Sequence, residues 1–178
     1  MGTLIMPIGI SACGKSSFLK KLLEKNPKIK TACPDDIRRS LTGNVSDQSA
    51  NKEVFNIINH QINDYLSSNE IVYFDATNLT EKSRKSSLEI VKKTNSKLIV
   101  IIFLTSYRYD ICEDRCRRDL SNLVDRSNTL VRDDKGNTVI YNQYVKFCSQ
   151  MRNIESAKKQ FKEADSNYQI IFRECEKS

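Results

Sequence analysis

Apolar residues fall in short blocks separated by amphipathic stretches. Thr3 to Ile10 is an apolar run with Gly9 near its end, which predicts a buried strand. Pro7 is awkward there, because a central strand loses a ladder hydrogen bond at proline. Ser16 to Glu24 carries Phe18, Leu19, Leu22 and Leu23 on one face of a short helix. Lys28 to Cys33 predicts a second strand. Pro34 to Leu41 predicts a helical turn or two, with Pro34 near the start and Gly43 just past the end.

Val45 to Asn51 is polar and predicts a loop. Lys52 to Ser67 has Val54, Ile58 and Ile62 at helical spacing. Ile71 to Phe74 predicts a strand closed by Asp75, and Thr80 is placed to cap a helix reaching about Lys93. Lys97 to Leu104 is the clearest buried strand, followed by a basic helix from Ile111 to Leu120. Ser121 to Thr138 is polar, Val139 to Lys162 predicts one long helix, and Tyr168 to Phe172 a last strand. Strands alternate with helices throughout. That order predicts an α/β fold: a parallel sheet of about four to five strands with helices on both faces. In such sheets ligands bind beyond the C-terminal ends of the strands. The residues after Ile8, Cys33, Phe74 and Leu104 are therefore the places to look for chemistry.

The first of these places holds Gly9-Ile10-Ser11-Ala12-Cys13-Gly14-Lys15-Ser16, a full match to G-x-x-x-x-G-K-[ST] between a strand and a helix. Glycines let the backbone curl around a phosphate, and successive amides with the helix N-terminus point at the anion. Lys15 supplies a point charge to the β and γ phosphates, and the Ser16 hydroxyl is a Mg²⁺ ligand. Gly9, Ser11, Ala12, Cys13, Gly14, Lys15, Ser16 and Ser17 are thus the candidate ATP-binding residues.

The second place holds Pro34-Asp35-Asp36-Ile37-Arg38-Arg39-Ser40. Asp35 and Arg38 share a helix face at three-residue spacing. An Asp facing the γ-phosphate is placed to take the proton of an attacking hydroxyl, and an Arg beside it to hold an acceptor phosphate. A plain surface ion pair reads the same way in sequence, and Asp36 is as eligible as Asp35. The third place holds Asp75-Ala76-Thr77-Asn78-Leu79, where Asp75 is a candidate water-mediated partner of Mg²⁺. Farther on, Arg115 and Arg118 share a helix face and Arg126 lies in the loop that follows. An Arg-rich lid at about residues 107–138 would offset charge on a transferring phosphoryl group.

Composition changes this picture little. The 178 residues are 39% hydrophobic and 29% charged, and suffice for one domain with its own core. The net charge of +7 favours polyanionic partners. No apolar stretch is long enough to span a bilayer. The six cysteines are scattered without zinc-ligand spacing, and free thiols fit a reducing cytoplasm.

Taken together, the Gly9 to Ser17 segment, the Asp35-Asp36-x-Arg38-x-Ser40 segment and the Asp75-x-Thr77-Asn78-Leu79 segment resemble, in order and spacing, the kinase domain of the phage-type 5′-polynucleotide kinases. The basic lid and the helix start at Val139-Ile140 match more loosely, and the resemblance covers nearly the whole chain. It implies a single P-loop kinase domain over residues 1–178, located in the cytoplasm, the host's if the chain is a phage protein. It implies γ-phosphate transfer from ATP, with Mg²⁺, to the 5′-hydroxyl end of DNA or RNA, as in nucleic acid end healing. Lys15 and Ser16 would hold ATP and Mg²⁺, Asp35 would be the general base, and Arg38 would grip the acceptor's 3′-phosphate. Asp75 would be a supporting acid, and Arg126 or Arg118 the lid arginine. Pro7 departs from the family pattern, as does Asn137-Thr138, where many relatives carry a proline. No phosphatase-type domain is expected. The alternatives are a related kinase acting on a 5-hydroxymethylated base, a nucleoside or a small molecule, and a nucleotide-binding switch or remodelling ATPase. The last lacks a second helical domain with sensor arginines.

Overall fold

The computed structural model describes residues 1–45, 47–122 and 127–174. Five parallel strands form one sheet: β1 (Thr3–Ile8), β2 (Lys30–Ala32), β3 (Ile71–Phe74), β4 (Lys97–Phe103) and β5 (Gln169–Arg173), in the order β2-β3-β1-β4-β5. Parallel strands must be joined by crossovers, and helices supply them. These are α1 (Lys15–Lys25), α2 (Pro34–Thr42), α3 (Asn51–Ser67), α4 (Glu81–Lys93), α5 (Tyr109–Ser121), α6 (Ser127–Leu130), α7 (Val139–Arg152) and α8 (Ile154–Ala164). The core is the pleated interior of β1, β3 and β4, with Leu4, Met6, Ile8, Val72, Val100 and Ile102 almost fully buried.

The sheet explains how Pro7 is tolerated in a central strand. Pairing of β1 with β3 ends at Ile5–Tyr73, while pairing with β4 continues to Ile8–Ile102. The Pro7 carbonyl accepts from the Asn78 side chain at 2.9 Å, and the Gly9 amide donates to the Thr77 carbonyl at 3.1 Å. In a strand the N–H and C=O of one residue point the same way. The missing Pro7 donor therefore faces the end of β3, where the Phe74 carbonyl accepts from the Ala76 amide at 2.8 Å.

Several predicted caps are present. Pro34 opens α2, and Gly43 closes it at φ 71 with its amide bonded to the Arg39 carbonyl. Thr80 caps α4 in a reciprocal capping box with Ser83. One prediction needs correction. The long helix expected from Val139 to Lys162 is two helices, broken at Asn153. The break lets α8 turn and bury Ala157 and Phe161, with α8 packed on α4. A one-residue break leaves the apolar period almost undisturbed, so the pattern alone does not reveal it. The polar segment after residue 121 also carries the short α6 and a turn closed by Gly136. Among the described residues no helix is long and apolar enough to cross a membrane.

Candidate active site

The phosphate loop runs from the end of β1 into α1. Gly9 is required by space: a Cβ there would sit 2.5 Å from the Cys13 sulfur and 3.0 Å from the Ser106 hydroxyl. Gly14 takes φ 104 as the N-cap of α1. Ala12 holds φ 56, a left-handed conformation that costs a residue with a Cβ about 1 kcal/mol. The first-turn amides of α1, at Lys15, Ser16 and Ser17, have no acceptor within the helix itself. The Lys15 ammonium is buried within the loop and donates to the Gly9 carbonyl at 3.1 Å and the Ile10 carbonyl at 2.7 Å.

Other elements fasten the loop from outside. The Ile10 amide donates to the Ser106 hydroxyl at 3.1 Å, and the Ser11 amide to Oε1 of Gln143 on α7 at 2.8 Å. Arg115 on α5 donates to the Ala12 carbonyl at 3.3 Å. Buried Tyr73 lies beneath, its hydroxyl 3.5 Å from the Lys15 carbonyl, and burial raises its phenol above its ordinary range.

A cleft of about 1050 Å³ opens over this loop. At one end it is lined by Ser11, Ala12, Gly14, Lys15, Ser16 and Ser17, roofed by Arg115 and Arg118. Phe18, Lys21 and Arg173 flank that end, with the Arg173 guanidinium 4.6 Å from the Phe18 ring centre. At the other end stand Asp35, Arg38, Val45, Gln48 and Phe55, with Asp75 and Thr77 also on the wall. The cleft therefore gathers Lys15, Ser16, Asp35, Arg38, Asp75, Arg115 and Arg118 into one site. Gly9 and Cys13 support it from beneath the loop, Cys13 fully buried. Arg126 lies outside the described residues.

Asp35 and Asp36, equivalent in sequence, are separated by the structure. Asp36 pairs with Arg39 at 3.2 Å, both side chains more than 60% exposed on the outer surface. Asp35 lines the cleft and accepts from Arg38 at 2.6 Å. Arg38 itself is 5% exposed. Its guanidinium donates to Asp35, to Oδ1 of Asn51 at 2.8 Å and to the Val45 carbonyl at 3.5 Å, while its Nε is buried without a partner. A buried unpaired donor costs about 1–3 kcal/mol. Cys33, the N-cap of α2, lies behind this end, and burial raises its thiol to about 12.

Asp75 and Thr77 belong to a turn that is held firmly. The Asn78 side chain donates to the carbonyls of Pro7, Phe74 and Ala76. The Asn78 carbonyl in turn accepts from Arg84 at 2.9 Å. Arg84 is fully buried, bonds Gln150 and Gln160, and lies over the Phe161 ring. Burial without a bonded carboxylate lowers its guanidinium to about 10.

Sequence reasoning missed Arg84, Gln143, Asn51 and Phe55. Phe55 left a trace: it is an apolar residue outside the Val54–Ile58–Ile62 stripe. Arg84 and Gln143 left none, since polar residues on predicted helices read as solvated.

A family profile described as an AAA domain matches residues 4–118. No curated protein matches the chain by sequence. Among solved structures, a chain of the Pnkp1/Rnl/Hen1 RNA repair complex superposes with a TM-score of 0.63 at 15% identity, over 88% of this chain and 46% of that one. This chain thus spans less than half the length of that relative. A chain from the PezAT chromosomal toxin–antitoxin system of Streptococcus pneumoniae gives 0.62 at 14%, over 97% and 69%. The APS kinase CysC of Mycobacterium tuberculosis, solved with AMPPNP and APS, gives 0.51 at 18%, over 85% and 98%. Identities this low carry the fold and not the acceptor. With well over half its length matched, the chain belongs to this AAA domain family, and its fold is that of the P-loop kinases.

Proposed function

We propose that this protein transfers the γ-phosphate of ATP to the 5′-hydroxyl end of a nucleic acid. The observation that carries this reading is the Asp35–Arg38 pair in the same cleft as the phosphate loop. Asp35 Oδ1 is engaged by Arg38, which leaves Oδ2 on a carboxylate 70% exposed to the cleft. That oxygen takes the proton of the acceptor hydroxyl as its oxygen attacks the γ-phosphorus. The bond between the γ-phosphorus and the β–γ bridging oxygen breaks, and ADP leaves with the pair of electrons. Lys15, Arg115 and Arg118 offset the charge of the transferring group. The Arg38 guanidinium on the cleft wall meets an acceptor phosphate next to the hydroxyl, the 3′-phosphate of the terminal nucleotide.

Ser16 and Asp75 line the cleft together, and a hydroxyl with a carboxylate is a donor set suited to a hard, oxygen-seeking cation. These two residues would hold Mg²⁺, Asp75 through water, and the metal would draw charge from the β and γ phosphates. The superposition on an RNA repair complex supports a polynucleotide acceptor, as does the net charge of +7.

The test is transfer from γ-labelled ATP to a short oligonucleotide with a 5′-hydroxyl, against a matched one already 5′-phosphorylated. Label on the first alone is the expected result. Label on neither, with ATP still bound, would reject the acceptor while leaving the kinase fold intact.

A further inference from the structure

The acceptor end of the cleft contains an exposed aromatic ring. Phe55 is 40% exposed. It stands apart from the buried stripe of α3, which is Val54, Ile58, Ile62 and Leu66. It lines the cleft beside Gln48 and Val45.

Its place relative to Arg38 is fixed by α3. Asn51 accepts from the Arg38 guanidinium and donates to Gln48 Oε1 at 2.6 Å. Phe55 is four residues beyond Asn51, so the two share a helix face about one turn, or about 6 Å, apart. The acceptor end thus presents a carboxylate, a guanidinium and an exposed apolar ring. A nucleotide with a 5′-hydroxyl and a 3′-phosphate offers a hydroxyl, a phosphate and a flat base as three arms of one sugar. A small acidic acceptor without a flat ring gains less from an exposed aromatic side chain there.

Resting on the function proposed above, we infer that Phe55 is the stacking platform for the base of the 5′-terminal nucleotide, and that the acceptor subsite reads a base by its face rather than its edge. Base stacking on an aromatic ring tolerates every base. The subsite accordingly selects nucleotides over other alcohols without selecting a sequence.

The experiment compares two 5′-hydroxyl oligonucleotides, one ordinary and one whose 5′-terminal nucleotide is abasic with its 3′-phosphodiester retained. The full chain should show about a tenfold higher kcat/KM on the ordinary one, carried mainly by KM. Phe55→Ala should bring the ratio of the two near unity, and Phe55→Trp should keep or raise it. A loss of equal factor on both substrates in Phe55→Ala would make the ring structural and overturn the inference. So would a wild-type protein that does not distinguish the substrates. If the wild-type protein labels neither oligonucleotide, the proposed function fails first and the inference falls with it. Unchanged thermal unfolding of Phe55→Trp guards against misfolding as the cause.

Discussion

The two ends of the cleft are built by different means. The nucleotide end is mostly backbone: a curled loop, the first-turn amides of α1, and one lysine held by its own loop's carbonyls. The acceptor end is side chains drawn from two helices, with Arg38 of α2 fastened to Asn51 of α3. A backbone site is written in eight consecutive residues and depends little on what packs around it. A side-chain site exists only once α2 and α3 are docked. The first end suits a ligand common to many proteins, and the second a ligand particular to this one.

The largest effect should come from Lys15→Ala at the backbone-built end. Transfer should fall by about 10³-fold or more on every acceptor, because the phosphates lose their buried cation. Single-turnover assays at saturating ATP would check it. A loss confined to some acceptors would break the division between the two ends.

Asp35→Asn should lower kcat by about 10²–10⁴-fold while ATP affinity stays nearly constant. Asp36→Asn, on the exposed outer pair with Arg39, should stay within about twofold of the wild type. If Asp36→Asn is the crippling change, the base is misassigned. Arg38→Ala sharpens the same contrast. It should raise KM for acceptors bearing a 3′-phosphate by about 10- to 100-fold and affect bare nucleosides far less, since a charged hydrogen bond contributes roughly 1.5–3 kcal/mol. Equal losses on both would remove the anion role from Arg38.

Between the two ends lies the turn with Asp75 and Thr77, braced by Arg84. Arg84→Met should cost roughly 3 kcal/mol, because the Asn78 carbonyl and the two glutamine oxygens each lose a buried donor. Thermal unfolding should drop by about 10 °C.

The smallest effect, taken per pH unit, is alkaline. Thiols stand behind both ends, half-buried Cys33 at the acceptor end and buried Cys112 near the phosphate loop, and loss of solvent raises each to about 12. Each contributes stability that is fully present below about pH 9, the thiol's ordinary value, and is lost as pH rises toward 12. Denaturant titrations should show stability falling by about 1 kcal/mol per pH unit per thiol across that window. Cys33→Ala and Cys112→Ala should each remove one such share, and a flat profile in the wild-type protein would contradict the burial of both.

Much of this was legible in the sequence, for identifiable reasons. The phosphate loop, the capping of α4 by Thr80 and the closure of α2 by Gly43 are local: each depends on residues within a few positions of one another. The strand–helix alternation fixed the fold class because parallel strands admit few connections. Asp35, Arg38, Asp75, Arg115 and Arg118 could be named because strand ends of a parallel sheet converge on one edge. What stayed hidden was relational. Nothing in the chain distinguishes Asp35 from Asp36 until α2 is docked and one side turns to the cleft. The break at Asn153, the burial of Arg84 and the contact of Gln143 with Ser11 each join segments more than 60 residues apart or depend on a helix turning to meet another. The sequence by itself determined the sheet, the phosphate loop and the edge where the cleft opens, because short-range geometry and period suffice for these. Only the tertiary structure decided which carboxylate faces the phosphate loop's cleft, which arginine is buried with a donor to spare, and which aromatic ring is left uncovered beside it. Those depend on how helices distant in the chain pack together, and no local pattern encodes that packing.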